Sequence, residues 1–405
     1  MMWKKEYGSA HMKTFDYILV AMILFFIIGI LFQNQIVFSG AGILASFLIV
    51  YKLYDKSIGR RLELENPRRT IRLFPGEEME LKFELRNRSI FPMINGAFSL
   101  QTGPAIKAFD HVEDASKYWR PITIPLSILQ RKKTFIELPV IAEERGISRI
   151  SNIHFLFPHL LNFDSITLKY KPFYHTEFIV FPSLLPVHGA EAVFHMIPGT
   201  GRSNFSPFED IQSQLGTRDY SYTDPFHRIN WNASLKSQQL QTNVYEKIVD
   251  RSFVFIVNLQ SENSVNMATF NENLESLLSY TAYLAKYATE KSVAYEIIIN
   301  ARKPGKVPYV HLREGEGNKH YGLALETLAR NHKQSMIIPF NNMLHQVGKQ
   351  FFKPKTIIVI GEVPPGATKL MNAWKQAQNT VFHIAQTSDG AVIKPIIKDA
   401  YTDAK

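Results

Sequence analysis

The sequence predicts a two-helix transmembrane hairpin, then a β-sandwich, then an open α/β sheet of mostly parallel strands. Three observations predict it. Two apolar runs, Tyr17–Phe32 and Ile36–Tyr51, follow one another near the N-terminus. The stretch after them alternates apolar and polar residues with the period of a half-buried strand. From Phe253 onward, wholly apolar strand-like runs alternate with amphipathic helix-like ones, the pattern of a sheet covered on both faces. The resulting division is 1–14 N-terminal segment, 15–54 hairpin, 62–182 sandwich, 199–251 connector and 252–397 α/β domain.

The hairpin is argued from length and charge. At 1.5 Å rise per residue each run reaches roughly 24–27 Å, which flanking residues extend to a full crossing. Asp16 is the one charge at the outer end of the first run, and neither run has a polar face. Gln33-Asn34-Gln35 leaves room only for a tight turn, so the helices are expected to be antiparallel neighbours. Lys4, Lys5 and Lys13 precede the pair, and Lys52, Lys56, Arg60 and Arg61 follow it. The turn between carries no charge. The positive-inside rule then places both termini in the cytoplasm of a multi-pass cell-membrane protein. Tyr17, Tyr51 and Tyr54 stand where interfacial aromatics are expected. A cleaved signal peptide would not have a second apolar run directly behind the first.

In the sandwich region, Met79, Leu81, Phe83 and Leu85 fall on one face of a strand. Further strands are expected at Ala97–Gln101, Thr134–Val140, Ser148–Phe157, Ile166–Tyr170 and Glu177–Phe181. Turns are expected at Pro75-Gly76, Asn87-Arg88-Ser89 and Glu144-Arg145-Gly146. Asn87 to Asn95 reads as the loop of an immunoglobulin-like module. Glu77-Glu78 and Glu143-Glu144 read as solvated turn charges. His154 and His159, beside apolar residues, read as packing histidines.

The connector is polar yet studded with aromatics: Phe208-Glu209-Asp210, Arg218-Asp219-Tyr220, then Asp224 through Ser234. Such a composition suggests an irregular, hydrogen-bonded segment pinned to a domain surface. Arg218 and Arg228 have Glu209, Asp210, Asp219 and Asp224 available for pairing. Trp231 is the expected apolar anchor.

Arg218, Tyr220, Asp224, Arg228, Ile229, Asn230 and Trp231 together resemble the signature of the bacterial family called domain of unknown function 58 (DUF 58). That signature reads Arg-x-Tyr, then Gly-Asp-x-x-Arg-x-Ile-(Asp/Asn)-Trp, then Ser-Ala, and leads into a strand, where Glu246 also fits. Thr223 stands here for the Gly, and Ala233-Ser234 for Ser-Ala, as in a divergent member. The signature is read as structural, with Arg218, Tyr220, Asp224, Arg228, Asn230 and Trp231 as an alternative docking surface.

The C-terminal strands are expected at Phe253–Leu259, Ala294–Asn300, Thr356–Gly361 and Val381–Ala385, with Val307–Arg313 as an antiparallel edge. Helices are expected at Phe270–Thr289, Tyr321–Asn331 and Ala367–Gln378. Family members resemble a von Willebrand A domain here. Such domains bind a divalent cation through Asp-x-Ser-x-Ser after the first strand. This chain has Asn258, Gln260 and Glu262 at those positions. A hard cation prefers anionic oxygen ligands, so no functional metal site of that type is expected.

Other chemistry is excluded by the sequence itself. There is no cysteine, hence no disulfide and no thiolate nucleophile. There is no phosphate-binding loop, no Gly-x-Ser-x-Gly and no His-Glu-x-x-His. Gly199-Thr-Gly201 and Gly315-Glu-Gly317 read as plain loops. The net charge of +10 suggests anionic lipid. Arg60, Arg61, Arg68, Arg69 and Arg72 lie just after the hairpin, and no basic segment is interleaved with aromatics as a nucleic-acid face would be.

The expectation is therefore a membrane-anchored, non-enzymatic interaction or assembly protein with no catalytic residue, metal or cofactor. Its partners would be the bilayer and a protein, with no nucleic acid. Family members are often encoded beside MoxR-type AAA+ ATPases and membrane transglutaminase-like proteins, so the resemblance implies such an ATPase. The alternative is an enzyme with an unfamiliar site around Asp219, Asp224 and His227.

Overall fold

Two apolar runs joined by three polar residues can only fold back on each other, and a computed structural model of the chain shows them doing so. It describes residues 2–8, 11–109, 119–162, 164–195, 201–202, 209–249, 252–261, 271–332, 335–387 and 390–396. The chain divides into two units, Met1–Phe181 and Pro182–Lys405.

In the first unit, β1 (Trp3–Tyr7) is followed by α1 (His11–Phe32) and α2 (Gln35–Ser57). Both helices outrun the boundaries read from hydropathy by about one turn, because Lys13, Lys52 and Lys56 continue them without breaking the backbone pattern. Gln33 takes the left-handed conformation that reverses the chain, at φ 42°. The Asn34 side chain caps α2 by accepting the Ile36 N–H at 2.9 Å. A Cβ on Gly29 would stand 3.2 Å from the Phe38 ring, so glycine there lets the helices approach closely. Only 6% of the first apolar span and 17% of the second is buried. These are two helices long and apolar enough to cross a membrane, and neither is a core helix.

The rest of the unit is β-rich. Its strands are β2 (Leu62–Leu64), β3 (Thr70–Leu73), β4 (Glu78–Asn87), β5 (Met93–Thr102), β6 (Ile106–Ala108), β7 (Arg120–Ile128), β8 (Lys133–Ala142), β9 (Gly146–Arg149), β10 (Ser151–Pro158), β11 (Ser165–Tyr170) and β12 (Glu177–Val180). They form sheets ordered β1-β11-β10-β5-β7, β2-β4-β8-β6 and β3-β12-β9. The alternation in β4 is as expected: Leu81, Phe83 and Leu85 are buried, while Met79 is half-buried. Phe83 of the four-stranded sheet meets Phe98 of the five-stranded one with ring centroids 5.7 Å apart. Leu100, Phe155 and Phe157 join the same core.

Two strands were missed and one was misread, for identifiable reasons. Within the N-terminal segment, Trp3–Tyr7 pairs antiparallel with β11 and Trp3 enters the core. Ser148–Phe157 is two strands in different sheets. The chain breaks at Ile150, and Asn152 takes a left-handed φ of 49°. The strand Arg120–Ile128 was hidden by Pro121 and Pro125, which cannot donate to a ladder; among the described residues β7 accordingly lies at a sheet edge, paired only with β5.

The second unit begins with β13 (Val187–His188) and α3 (Ala190–His195). It continues through β14 (Gly201–Arg202), β15 (Glu209–Asp219), a 3-10 turn at Phe226–Arg228, α4 (Trp231–Ser237) and β16 (Gln241–Val249). The remaining elements are β17 (Phe253–Val257), α5 (Leu274–Glu290), β18 (Tyr295–Arg302), β19 (Tyr309–Gly315), α6 (Gly317–Ala329), α7 (Phe340–Gly348), β20 (Thr356–Ile360), α8 (Pro365–Gln376), β21 (Thr380–Thr387) and β22 (Gly390–Pro395).

A seven-stranded mixed sheet runs β13-β22-β21-β20-β17-β18-β19. Strands β18, β17, β20 and β21 are mutually parallel, and β19 is an antiparallel edge. Val254, Ile256, Ile357 and Val359 pack under α7 and α8. On the other face Phe253 stacks on Phe194 at 4.1 Å, and Tyr295 meets His320 of α6 at 4.6 Å. Burial on both faces explains why these strands read as continuous apolar runs. Val381–Ala385 is not the last strand: β22 follows it, turning back antiparallel and pairing with β13.

Candidate functional site

The connector is not irregular. Strands β15 and β16 pair over their length as an antiparallel arm, with bulges between Asp210 and Gly216. The signature residues fold into the arm's closed end, between Asp219 and Gln241.

The polar signature side chains hold that end together. Arg218 donates to Asp224 Oδ1 at 2.6 Å and to the Asp219 carbonyl at 3.0 Å. The other Asp224 oxygen accepts the Ser221 N–H at 2.9 Å. The Arg218 hydrogen bond first, and the Ser221 amide second, hold the Asp224 carboxyl below its ordinary value. Tyr220 donates its hydroxyl to the Asp224 carbonyl at 3.0 Å. The Arg228 guanidinium lies 5.9 Å from the Tyr245 ring centroid.

Asn230 is the N-cap of α4: its Oδ1 accepts the Ala233 N–H at 3.0 Å. Its Nδ2 donates to Asn243 at 2.8 Å, tying the cap to β16. Ser234 donates to the Asn230 carbonyl and accepts the Gln241 N–H, both internal bonds of the same turn. Sequence reasoning placed Ser234 in the signature without its role, and missed Gln241 and Asn243, which lie beyond it. Glu209, Asp210 and Glu246 lie on the arm's strands, and nothing is described of their side chains; Phe208 lies outside the described residues.

Trp231 is not an anchor. It is 65% exposed at the first position of α4. The apolar residue that goes inward is Ile229, whose backbone bridges to Thr242. Because Asn230 caps the helix, the next residue starts its first turn, and here that turn faces outward. Tyr222, Phe226 and Leu235 are also exposed, at 102%, 79% and 80%. The polar network thus holds the backbone while four large apolar side chains face solvent.

Two of the three residues of the enzyme alternative have partners within the turn. Asp224 is engaged by Arg218, and Asp219 accepts from Gln241 Nε2 at 2.6 Å. His227 is exposed in the 3-10 turn.

A second polar cluster stands at the C-terminal ends of the parallel strands, where open α/β sheets place ligands. Asn258, just after β17, donates to the Glu362 carbonyl at 2.6 Å. Its Oδ1 accepts from the Gln260 N–H at 3.0 Å and from Asn300 at 2.9 Å. Asn300 Oδ1 accepts the Leu259 N–H at 2.8 Å. Gln260 Oε1 accepts the Phe340 N–H at 3.1 Å, and Asn271 donates to Glu362 Oε1 at 2.9 Å. The oxygen in the leading ligand position is therefore committed to two hydrogen bonds within the fold. Glu262 lies outside the described residues. Among the described residues no group of three or more His, Asp or Glu is placed to hold a metal ion.

No protein-family model matches the chain. No curated protein matches it either. Among solved structures it is similar to AvmM, which catalyses macrocyclization in alchivemycin A biosynthesis, at 10% identity over 24% of this chain and 73% of that one, with a TM-score of 0.17. It is similar to trypsin-activated alpha-2-macroglobulin from Escherichia coli at 15% identity, covering 42% of this chain and 9% of that one, with a TM-score of 0.21. A sporulation control protein from Bacillus subtilis matches at 12% identity over 35% and 58% of the two chains, with a TM-score of 0.17. Likeness at this level carries no argument about this chain.

Proposed function

We propose that this is a membrane-anchored, non-enzymatic interaction protein that docks a protein partner on the closed end of its arm. The observation that carries the reading is that Tyr222, Phe226 and Trp231 are exposed on a backbone held by the hydrogen bonds of Arg218, Tyr220, Asp224 and Asn230. Exposed aromatics on a pre-organised backbone are the residue types that anchor protein interfaces.

The same reading takes the hairpin as a bilayer anchor in the cell membrane, with both termini cytoplasmic. The lysines at both ends of the hairpin support that orientation. So does β1, which brings the chain before α1 back to the sheets that follow α2. It takes the five- and four-stranded sheets as a β-sandwich and the seven-stranded sheet as a von Willebrand A-like domain without its metal. The signature alone supports membership of the domain of unknown function 58 family, and through it a MoxR-type AAA+ ATPase as the partner. The domain limits 62–182, 199–251 and 252–397 belong to the same proposal.

The test is crosslinking in intact membranes followed by co-purification, comparing wild type with the double variant F226A/W231A. A specific partner that is recovered with wild type and lost with the variant is the expected result. Equal recovery from both, or recovery of no specific protein, overturns the docking site.

A further inference from the structure

The end of the β-rich unit that wraps the base of α2 carries a second surface. Three loops meet there. The loop after β10 reaches furthest along the helix: His159, fully buried, packs at a tilt against Tyr51 with ring centroids 4.7 Å apart, and Asn162 donates to the Tyr51 hydroxyl at 2.9 Å. Tyr51 is the last residue of the second apolar run, so this loop lies level with the point where that run meets its first lysine, Lys52. The loop after β4 touches the helix lower down. Ser89 bonds to Ser57 at 3.2 Å, and Phe91 packs on Tyr54 at 5.1 Å. The turn between β7 and β8 is tied to that loop by Arg131 N–H donating to the Ser89 carbonyl at 3.2 Å.

Asn87, itself 1% exposed, holds the last two loops together. It donates to the carbonyls of Phe91 and Leu129 and accepts the Ser89 N–H. The side chains these loops leave outside are of two kinds. Ile90 and Leu129 are apolar and exposed, at 52% and 47%. Arg131 and Lys132 are exposed cations beside them. From Tyr51 to Ser57 the helix rises about 9 Å at 1.5 Å per residue. The headgroup layer on one side of a bilayer is roughly 5–8 Å thick, so with the hairpin as a membrane anchor all three loops would touch α2 within that layer or at its edge.

We propose that this end of the unit is a lipid-binding platform: Ile90 and Leu129 enter the interface, and Arg131 and Lys132 bind anionic headgroups. The platform rests on the hairpin being a membrane anchor. Apolar tips rimmed by cations are the chemistry of an interfacial contact, and the partner is fixed by continuity with the helix. It makes the hairpin and the β-rich unit a single rigid body on the membrane, not a domain on a tether.

The chain has no cysteine, so single labels are clean. Full-length I90C, L129C, E144C and I43C proteins, each with an environment-sensitive fluorophore, would be placed in nanodiscs of zwitterionic lipid and of lipid containing phosphatidylglycerol. Residue 144 lies in the turn after β8, at the far end of the sheet, and residue 43 is in α2. Expected is quenching of labels 90 and 129 by headgroup-attached quenchers, with label 144 quenched only from water. Anionic lipid should deepen the shielding, and R131E/K132E should reverse that gain, by about fivefold per cation. Labels 90 and 129 as open to aqueous quencher as label 144 in both lipids would overturn the platform, provided label 43 is shielded. If label 43 is open as well, the anchor reading itself fails.

Discussion

Two polar clusters in the second unit use the same residue types to opposite ends. At the strand ends, Asn258, Gln260, Asn271 and Asn300 turn their amides onto one another and onto backbone groups, and Asn258 and Asn300 are at most 1% exposed. In the arm, Asn230, Ser234, Gln241 and Asn243 do the same, but the segment they fix holds Trp231, Phe226 and Tyr222 in solvent. The first cluster closes a surface where related architectures bind ligands. The second builds a surface where none was needed for folding. The difference teaches that hydrogen-bond satisfaction does not mark a site; what the satisfied network holds outward does.

The largest expected effect lies in the closed cluster. Asn300→Leu would leave the Leu259 N–H and the Ile338 carbonyl without their partner inside the protein. Each buried backbone group so orphaned costs about 1–3 kcal/mol, so a loss of about 3 kcal/mol is expected. Hydrogen exchange of the β17 and β20 amides would read it. A loss under about 1 kcal/mol would mean that water or a shift of Asn258 replaces the bonds, and the cluster would then be less closed than the arm.

How far each cluster was legible in the sequence follows from the range of its contacts. The Asn258 substitution was visible because it departs from a spaced local pattern. That its oxygen is consumed by Asn300, forty-two residues on, was not. Asp224–Arg218 and the Asn230 cap lie within six residues and could be anticipated. The exposure of Trp231 could not, since burial depends on what packs against the arm, and aromatic identity says nothing of that. The same limit hid β1, whose Lys4, Lys5 and Glu6 break any apolar alternation and whose partner strand is more than 150 residues away. The two membrane-length helices and the doubly buried strands were legible because their signal is the run itself.

A smaller effect is expected at the opposite end of the sheet, where Lys355 bonds Glu296 at 2.6 Å and Glu314 at 2.9 Å. Burial works to raise the Glu296 carboxyl, but hydrogen bonds from His311 and Lys355 outweigh it and hold it below its ordinary value. Burial works to lower Lys355, and Glu296 and Glu314 outweigh it and raise it. The stability from Glu296 is therefore complete above the ordinary carboxylate value and is lost as pH falls through the lowered one. That from Lys355 is complete below the ordinary lysine value and is lost as pH rises through the raised one. Lys355→Met should cost about 2 kcal/mol near neutral pH by leaving Glu296 buried without its cation. In acid, once Glu296 is protonated, the difference from wild type should shrink. Urea unfolding at both pH values measures it. A constant difference would make the loss one of packing.

The smallest effect on stability is expected where the effect on binding is largest. Trp231→Ala removes a side chain that is 65% exposed and leaves the Asn230 cap and the Arg218–Asp224 pair in place. Its unfolding free energy should lie within about 0.5 kcal/mol of wild type, as for surface substitutions away from caps and cores. Removal of an interface anchor costs about 2 kcal/mol or more, roughly thirtyfold in affinity. Arg218→Ala separates the two contributions. It loosens the carboxylate that organises the turn while leaving Trp231 itself intact, and an ion pair at the surface adds little to stability. If the aromatic face works only when held, Arg218→Ala weakens partner recovery with little change in unfolding. If Trp231→Ala instead destabilises the protein by 2 kcal/mol or more, the indole is packed in solution, and the arm belongs with the closed cluster after all.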